Sequence, residues 1–208
     1  MSNRLYRAAR ARLAREEGAF QKDWGGRIPV ALVYPNVYGV GMANLGFLAV
    51  YGLLNRHPDV VCERAFFPDG EERKEMARTG TRPFSLETQK PLDAFEIIAF
   101  SLSYENDYPN VAALLSMAGI PAERQHRTCD APLLIAGGPA SFLNPEPMAG
   151  IIDLFVLGEA EEALDEVLEQ YRKRRGVDNR EAFVCEAPSV EGVYVPALYE
   201  PHYEEGGT

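Results

Sequence analysis

The strongest constraint on this 208-residue chain is alternation: five short apolar runs, each followed by a loop and then, in most cases, a helix-patterned stretch. The runs lie within IPVALVYP (28–35), VVCERAFFP (60–68), EIIAFSLSY (96–104), APLLIAGGP (131–139) and IIDLFVLGE (151–159). Their length, branched residues and Pro or Gly boundaries predict strands. After the first, Leu45, Leu48, Ala49, Leu53 and Leu54 recur at helical intervals, and Pro58 marks the stop. DYPNVAALLSMAGI predicts a helix with Pro109 in its first turn and Gly119 just past its end. AEEALDEVLEQYRKRRG starts acidic and ends basic, the order a helix dipole favours. Residues 69–94 read as a long crossover with one short helix, and the ending VEGVYVPALYEPHYEEGGT as an edge strand followed by polar residues.

Strands alternating with helices predict an α/β fold: a doubly wound, mostly parallel sheet of about five strands with flanking helices. Right-handed crossovers gather the loops that follow the strands along one rim, where ligands of such sheets sit. The expected boundaries are an amino-terminal helical extension over 1–27, an α/β domain over 28–176 and a carboxyl-terminal edge segment over 177–208. In the extension, Leu5, Ala8, Ala9 and Leu13 form a narrow apolar stripe suited to docking. Its arginines suggest a transit peptide, but the acidic Glu16 and Glu17 and the lack of a processing signature favour an ordinary surface helix.

Lys and Arg number 21 against 31 Asp and Glu, a formal charge of −10, which argues against a nucleic-acid backbone as partner. Apolar runs fall short of the roughly 20 residues that span a bilayer, so no membrane association is expected. Cys62, Cys129 and Cys185 have no metal-ligand spacing and read as reduced, mostly structural thiols of a cytoplasmic protein.

Three post-strand loops look unlike simple connectors: PNVYGVG, SLSYEND and GGPASFLNPEP. In the first, Asn36, Tyr38, Gly39 and Gly41 form neither a dinucleotide fingerprint nor a P-loop. A tight turn and a surface for a flat ligand both remain open. Ser101 and Ser103, two apart, share a side of the extended chain. Glu105 and Asp107 stand where acid–base groups could act, although capping or solvation is the commoner role. Gly137, Gly138 and Pro139 allow close backbone approach or a sharp turn, and Glu159 is placed to cap a helix or bond another rim loop. No histidine among His57, His126 and His202 has a catalytic context, so neither catalytic nor metal-ligating residues are expected.

Together, VYPNVYGVGMANLGFLAVYGLLN, AFSLSYENDYPNV, LLIAGGPASFLNPEP and DLFVLGEAEEAL resemble the amino-terminal cobalamin-binding-type domain of an uncharacterised family of radical SAM proteins, over roughly residues 20–200. The resemblance implies a Rossmann-like, flavodoxin-ordered sheet with cobalamin over the carboxyl ends of its strands. Many such domains carry D-x-H-x-x-G, whose histidine takes cobalt. Here Asn36 stands for the aspartate, Tyr38 for the histidine, and Gly41 matches. Tyrosine is a poor cobalt ligand, so histidine-type coordination is not expected. The resemblance further assigns Ser101 and Ser103 to the corrin amides or nucleotide tail, and Gly137, Gly138 and Pro139 to the tail.

The radical SAM core itself holds a [4Fe-4S] cluster with C-x-x-x-C-x-x-C, and the three cysteines here cannot supply that spacing. The resemblance therefore implies a non-catalytic fragment presenting a corrinoid or substrate to a radical SAM barrel, with cluster and S-adenosylmethionine confined to that barrel. Two alternatives stand beside it: a cofactor-free domain packing on the barrel, and a stand-alone nucleotide- or flavin-binding protein.

Overall fold

The computed structural model describes residues 2–175 and 180–200. In chain order these form α1 (Asn3–Leu13), β1 (Ile28–Tyr34), α2 (Tyr38–Gly41), α3 (Leu45–Arg56), β2 (Val60–Phe66), α4 (Gly70–Thr79), β3 (Ile97–Ser101), α5 (Tyr108–Ala118), β4 (Leu133–Gly137), α6 (Pro139–Leu143), β5 (Leu154–Val156), α7 (Ala160–Arg174), α8 (Arg180–Glu186) and β6 (Val193–Tyr194). The sheet order is β2-β1-β3-β4-β5-β6. Neighbours are parallel except β5 and β6, which are antiparallel. The first five strands have the flavodoxin order, with its switch point between β1 and β3.

Strand alternation divides the core between two faces. Ile28, Val30, Leu32 and Tyr34 of β1 point to the face covered by Phe47, Tyr51 and Leu54 of α3 and Val167 and Leu168 of α7. Ala31 and Val33 point to the opposite face, where Val111, Leu114 and Leu115 of α5 cover Ile98, Phe100 and Leu134. This two-sided burial explains why β1 shows a continuous apolar run rather than alternation.

The helix ends follow their local chemistry. Asp69 and Glu72 form a reciprocal capping box that starts α4. Pro109 lies in the first turn of α5, which stops at Gly119 in the left-handed region, φ 76°. Glu159, a candidate cap, occupies the N-cap of α7 without a side-chain hydrogen bond there. Helices α2 and α6 are too short to leave a periodic trace in the sequence, and α8 was not anticipated.

The edge strand β2 carries two charged residues in its buried interior, Glu63 and Arg64. Glu63 accepts hydrogen bonds from Trp24 Nε1 (2.6 Å), Ser85 Oγ (2.5 Å) and Thr88 Oγ1 (2.7 and 2.9 Å). Arg64 pairs with Glu87 (2.7 Å) and Glu16 (2.6 Å) and lies over the Tyr51 ring. Leu86 N donates to the Arg64 carbonyl (2.6 Å), so the crossover covers an edge that would otherwise offer free backbone groups. The extension docks as its stripe predicts: Leu5 and Ala9 are buried, and Ser2 Oγ donates to Glu75 Oε1 (2.6 Å). Among the described residues no helix is long and apolar enough to cross a membrane.

Candidate functional site

A groove of ≈ 580 Å³ opens between α3 and α7, over the sheet at its carboxyl-end rim. That volume is within the roughly 300–1,000 Å³ usual for small-molecule sites. The strand register orders its floor. Leu32, Ala99 and Ile135 are aligned across β1, β3 and β4 as one apolar row. Two residues closer to the rim, Ser101, Gly137 and Val156 form the next row, and Ser103, Gly138 and Pro139 follow. Polar side chains thus enter only toward the mouth, where Asn44 and Glu161 join them from the helix starts.

The opening has a steric origin. Ala99 sits on a central strand yet is only half-buried, although Ile98 and Phe100 on either side of it are buried. Gly46 and Ala49 on α3, and Ala160 on α7, face the same space with small side chains. Larger residues at these positions would close the two helices over the sheet, as a well-packed core requires.

The mouth is pinned by backbone contacts. Leu102 N donates to the Gly137 carbonyl (2.8 Å), and Ala140 N to the Leu102 carbonyl (3.0 Å). Gly138 has φ 105°, and a Cβ there would lie 2.7 Å from the Leu102 oxygen. The position therefore demands glycine for the chain's own geometry, whatever it also offers a ligand. Asn44 Oδ1 accepts from Phe47 N (2.9 Å) as the cap of α3, and its Nδ2 donates to Ser103 Oγ (3.1 Å). Asn44 thus joins the first rim loop to the groove. Its signal was its place as an N-cap before the apolar periodicity of α3.

Of the nine residues expected to bind, the structure brings Ser101, Ser103, Gly137, Gly138 and Pro139 together in the groove. Asn36, Tyr38, Gly39 and Gly41 lie outside its lining. Tyr38 turns toward β2: its hydroxyl donates to Glu16 Oε1 (2.8 Å) and its ring meets Phe66 edge-on. Burial and that carboxylate raise the Tyr38 phenol to about 12. A Cβ on Gly41 would lie 2.6 Å from the Phe66 ring, so this glycine serves helix–strand contact. Gly39 has open space around it.

Asn36 braces the same turn, accepting from Val37 N (2.8 Å) and donating to Asp107 Oδ1 (2.8 Å). Asp107 is 3% exposed, and its Oδ2 has no hydrogen-bond partner among the described residues. Burial pushes its carboxyl pKa up, partly opposed by Asn36. Glu105 is exposed. No group of three or more His, Cys, Asp or Glu among the described residues is placed to hold a metal ion.

Against known proteins, the model of the family described as radical SAM proteins, N-terminal, matches residues 46–196. Among curated proteins, an uncharacterized protein of Methanocaldococcus jannaschii, MJ0966, is 24% identical over 184 residues, covering 85% of this chain and 35% of that protein. The chain therefore spans about a third of the length of that relative. No solved structure matches.

Proposed function

The chain belongs to the family of N-terminal domains of radical SAM proteins, and from that membership we propose that it is a corrinoid-binding domain that presents its cofactor to a radical SAM barrel. One observation carries the reading: the open groove whose lining runs from an apolar row at Leu32, Ala99 and Ile135 to a polar mouth at Ser101, Ser103 and Asn44. This gradient suits a ligand with a planar apolar end and a polar linker, which is the nucleotide tail of a cobamide.

The donors fit that group in a specific way. Ser101 and Ser103 hydroxyls can donate to tail or amide oxygens, and the N-terminus of α3 borders the mouth on the side that favours an anionic phosphate, away from the Glu161 carboxylate in the first turn of α7. Bound there, a corrinoid supplies a cobalt centre able to carry an alkyl group. The chain's own role is to bind and orient it and to exclude water from the tail. Tyr38, committed to Glu16 and turned to the other side of the rim, is not offered as a cobalt ligand.

A second reading draws on the exposed apolar side chains of the segments that follow β1, β3 and β4: Leu45 opening α3, Tyr104, and Phe142 and Leu143 of α6. Leu45 and Leu143 are 82% and 74% exposed. Such a rim suits coverage by another module, and a cofactor-free docking domain needs nothing more. Anaerobic titration of the intact protein with hydroxocobalamin, read by visible absorbance and calorimetry, separates the two. Saturable binding is expected; its absence overturns the corrinoid reading and leaves the docking one.

A further inference from the structure

The groove has a directional chemistry that bears on which corrinoid it takes. Its deep part is walled by Leu32, Leu53, Ala99, Ile135, Val156 and Leu164, none of which carries a side-chain donor or acceptor. The strand backbone beneath is already engaged in the parallel ladders of β1, β3 and β4. Every polar side chain of the lining belongs to the mouth: Ser101 at the end of β3, Ser103 beyond it, Asn44 before α3 and Glu161 in the first turn of α7.

Resting on the corrinoid reading above, we propose that this groove selects cobamides by their lower base: it accepts an apolar benzimidazole and discriminates against a purine. A ring whose amino group and ring nitrogens enter this space gives up water and finds no partner, while the methylated hydrocarbon edge of a benzimidazole loses nothing there. Polar groups left unpaired in this way are the strongest source of discrimination between ligands of similar shape. The ribose and phosphate remain at the mouth for either ligand, so the base alone carries the difference. Ala99 sets the depth, because it is the smallest side chain of the apolar row it shares with Leu32 and Ile135.

The test is equilibrium binding of three probes to the intact protein: hydroxocobalamin, its adenine-tailed analogue, and cobinamide, which lacks the tail. Cobalamin is expected to bind at least about tenfold more tightly than the adenine-tailed form. It should exceed cobinamide by a similar or larger margin. Ala99→Phe should bring cobalamin down to the cobinamide level, with a wild-type circular dichroism spectrum reporting that the variant is folded. Equal binding of the benzimidazole and adenine forms overturns the base selection, as does cobinamide binding as tightly as cobalamin. Failure of all three probes to bind removes the corrinoid reading and this inference with it.

Discussion

The two halves of the carboxyl-end rim are built by opposite means. On the β1–β2 side, most of the positions that the resemblance assigns to a ligand are engaged by their own chain, while Asn44 and Leu45 at the start of α3 reach the groove. Tyr38 is held by Glu16, Asn36 by Asp107 and Val37, Gly41 by the Phe66 ring, and Arg64 by Glu16 and Glu87. On the β3–β5 side, Ser101, Ser103 and Gly137 line open space, and Ala99 leaves the central strand partly uncovered. The closed half holds a buried charge cluster, Arg64 with Glu16 and Glu87, whose members must be paired to be tolerated. Small apolar side chains define the open half. The difference teaches that a loop can resemble a cofactor motif in its spacing while its side chains serve the fold, and that the open space lies over the neighbouring strands.

The comparison can be broken most forcefully at its closed half. Glu87→Ala leaves the Arg64 guanidinium buried with one of its two carboxylate partners gone and should cost about 3–5 kcal/mol in denaturant unfolding. A loss below about 1 kcal/mol would show that the cluster is wetter than the buried contacts imply. Adding carbon should then separate the halves. Gly41→Ala drives a Cβ into Phe66 and should cost roughly 1–3 kcal/mol, whereas Ala99→Leu grows into the groove and should leave the unfolding midpoint nearly unchanged or raised. Equal losses would mean that the groove is already filled.

Asp107→Asn tests the junction between the halves. The native carboxyl pKa is raised by burial, so the folded state holds its proton to higher pH than the unfolded chain. Wild-type stability therefore falls as pH rises through the unfolded value and then the native one. The asparagine variant should be more stable at neutral pH, by on the order of 1 kcal/mol. That advantage should vanish as acidification protonates Asp107 in both states. A pH-independent difference would reject this account. Tyr38→Phe removes one hydrogen bond to Glu16 and should cost about 0.5–1.5 kcal/mol.

Much of the scaffold was legible in the sequence because the signals were local. The apolar runs placed β1–β5, Gly119 ended α5, and the acid-to-base gradient marked α7. The stretch read as an edge strand holds the two residues of β6. The closed half of the rim was not legible. Glu16, Arg64 and Glu87 are far apart in sequence, and nothing in their spacing marks them as partners. Nor could the pattern tell which way Tyr38 would turn, because a four-residue helix carries no periodicity. The floor at Ala99 was hidden for a related reason: an alanine inside an apolar run looks like ordinary core until the helices above it prove too far apart to cover it.

The most direct test of the central claim is a paired hydroxocobalamin titration of two variants of the intact protein, Tyr38→Phe and Ala99→Phe, beside the wild type. The account predicts wild-type affinity for Tyr38→Phe and a loss of about tenfold or more for Ala99→Phe, with both variants folded by circular dichroism. Unchanged affinity in Ala99→Phe, or loss of binding in Tyr38→Phe, would place the ligand on the other half of the rim and contradict it.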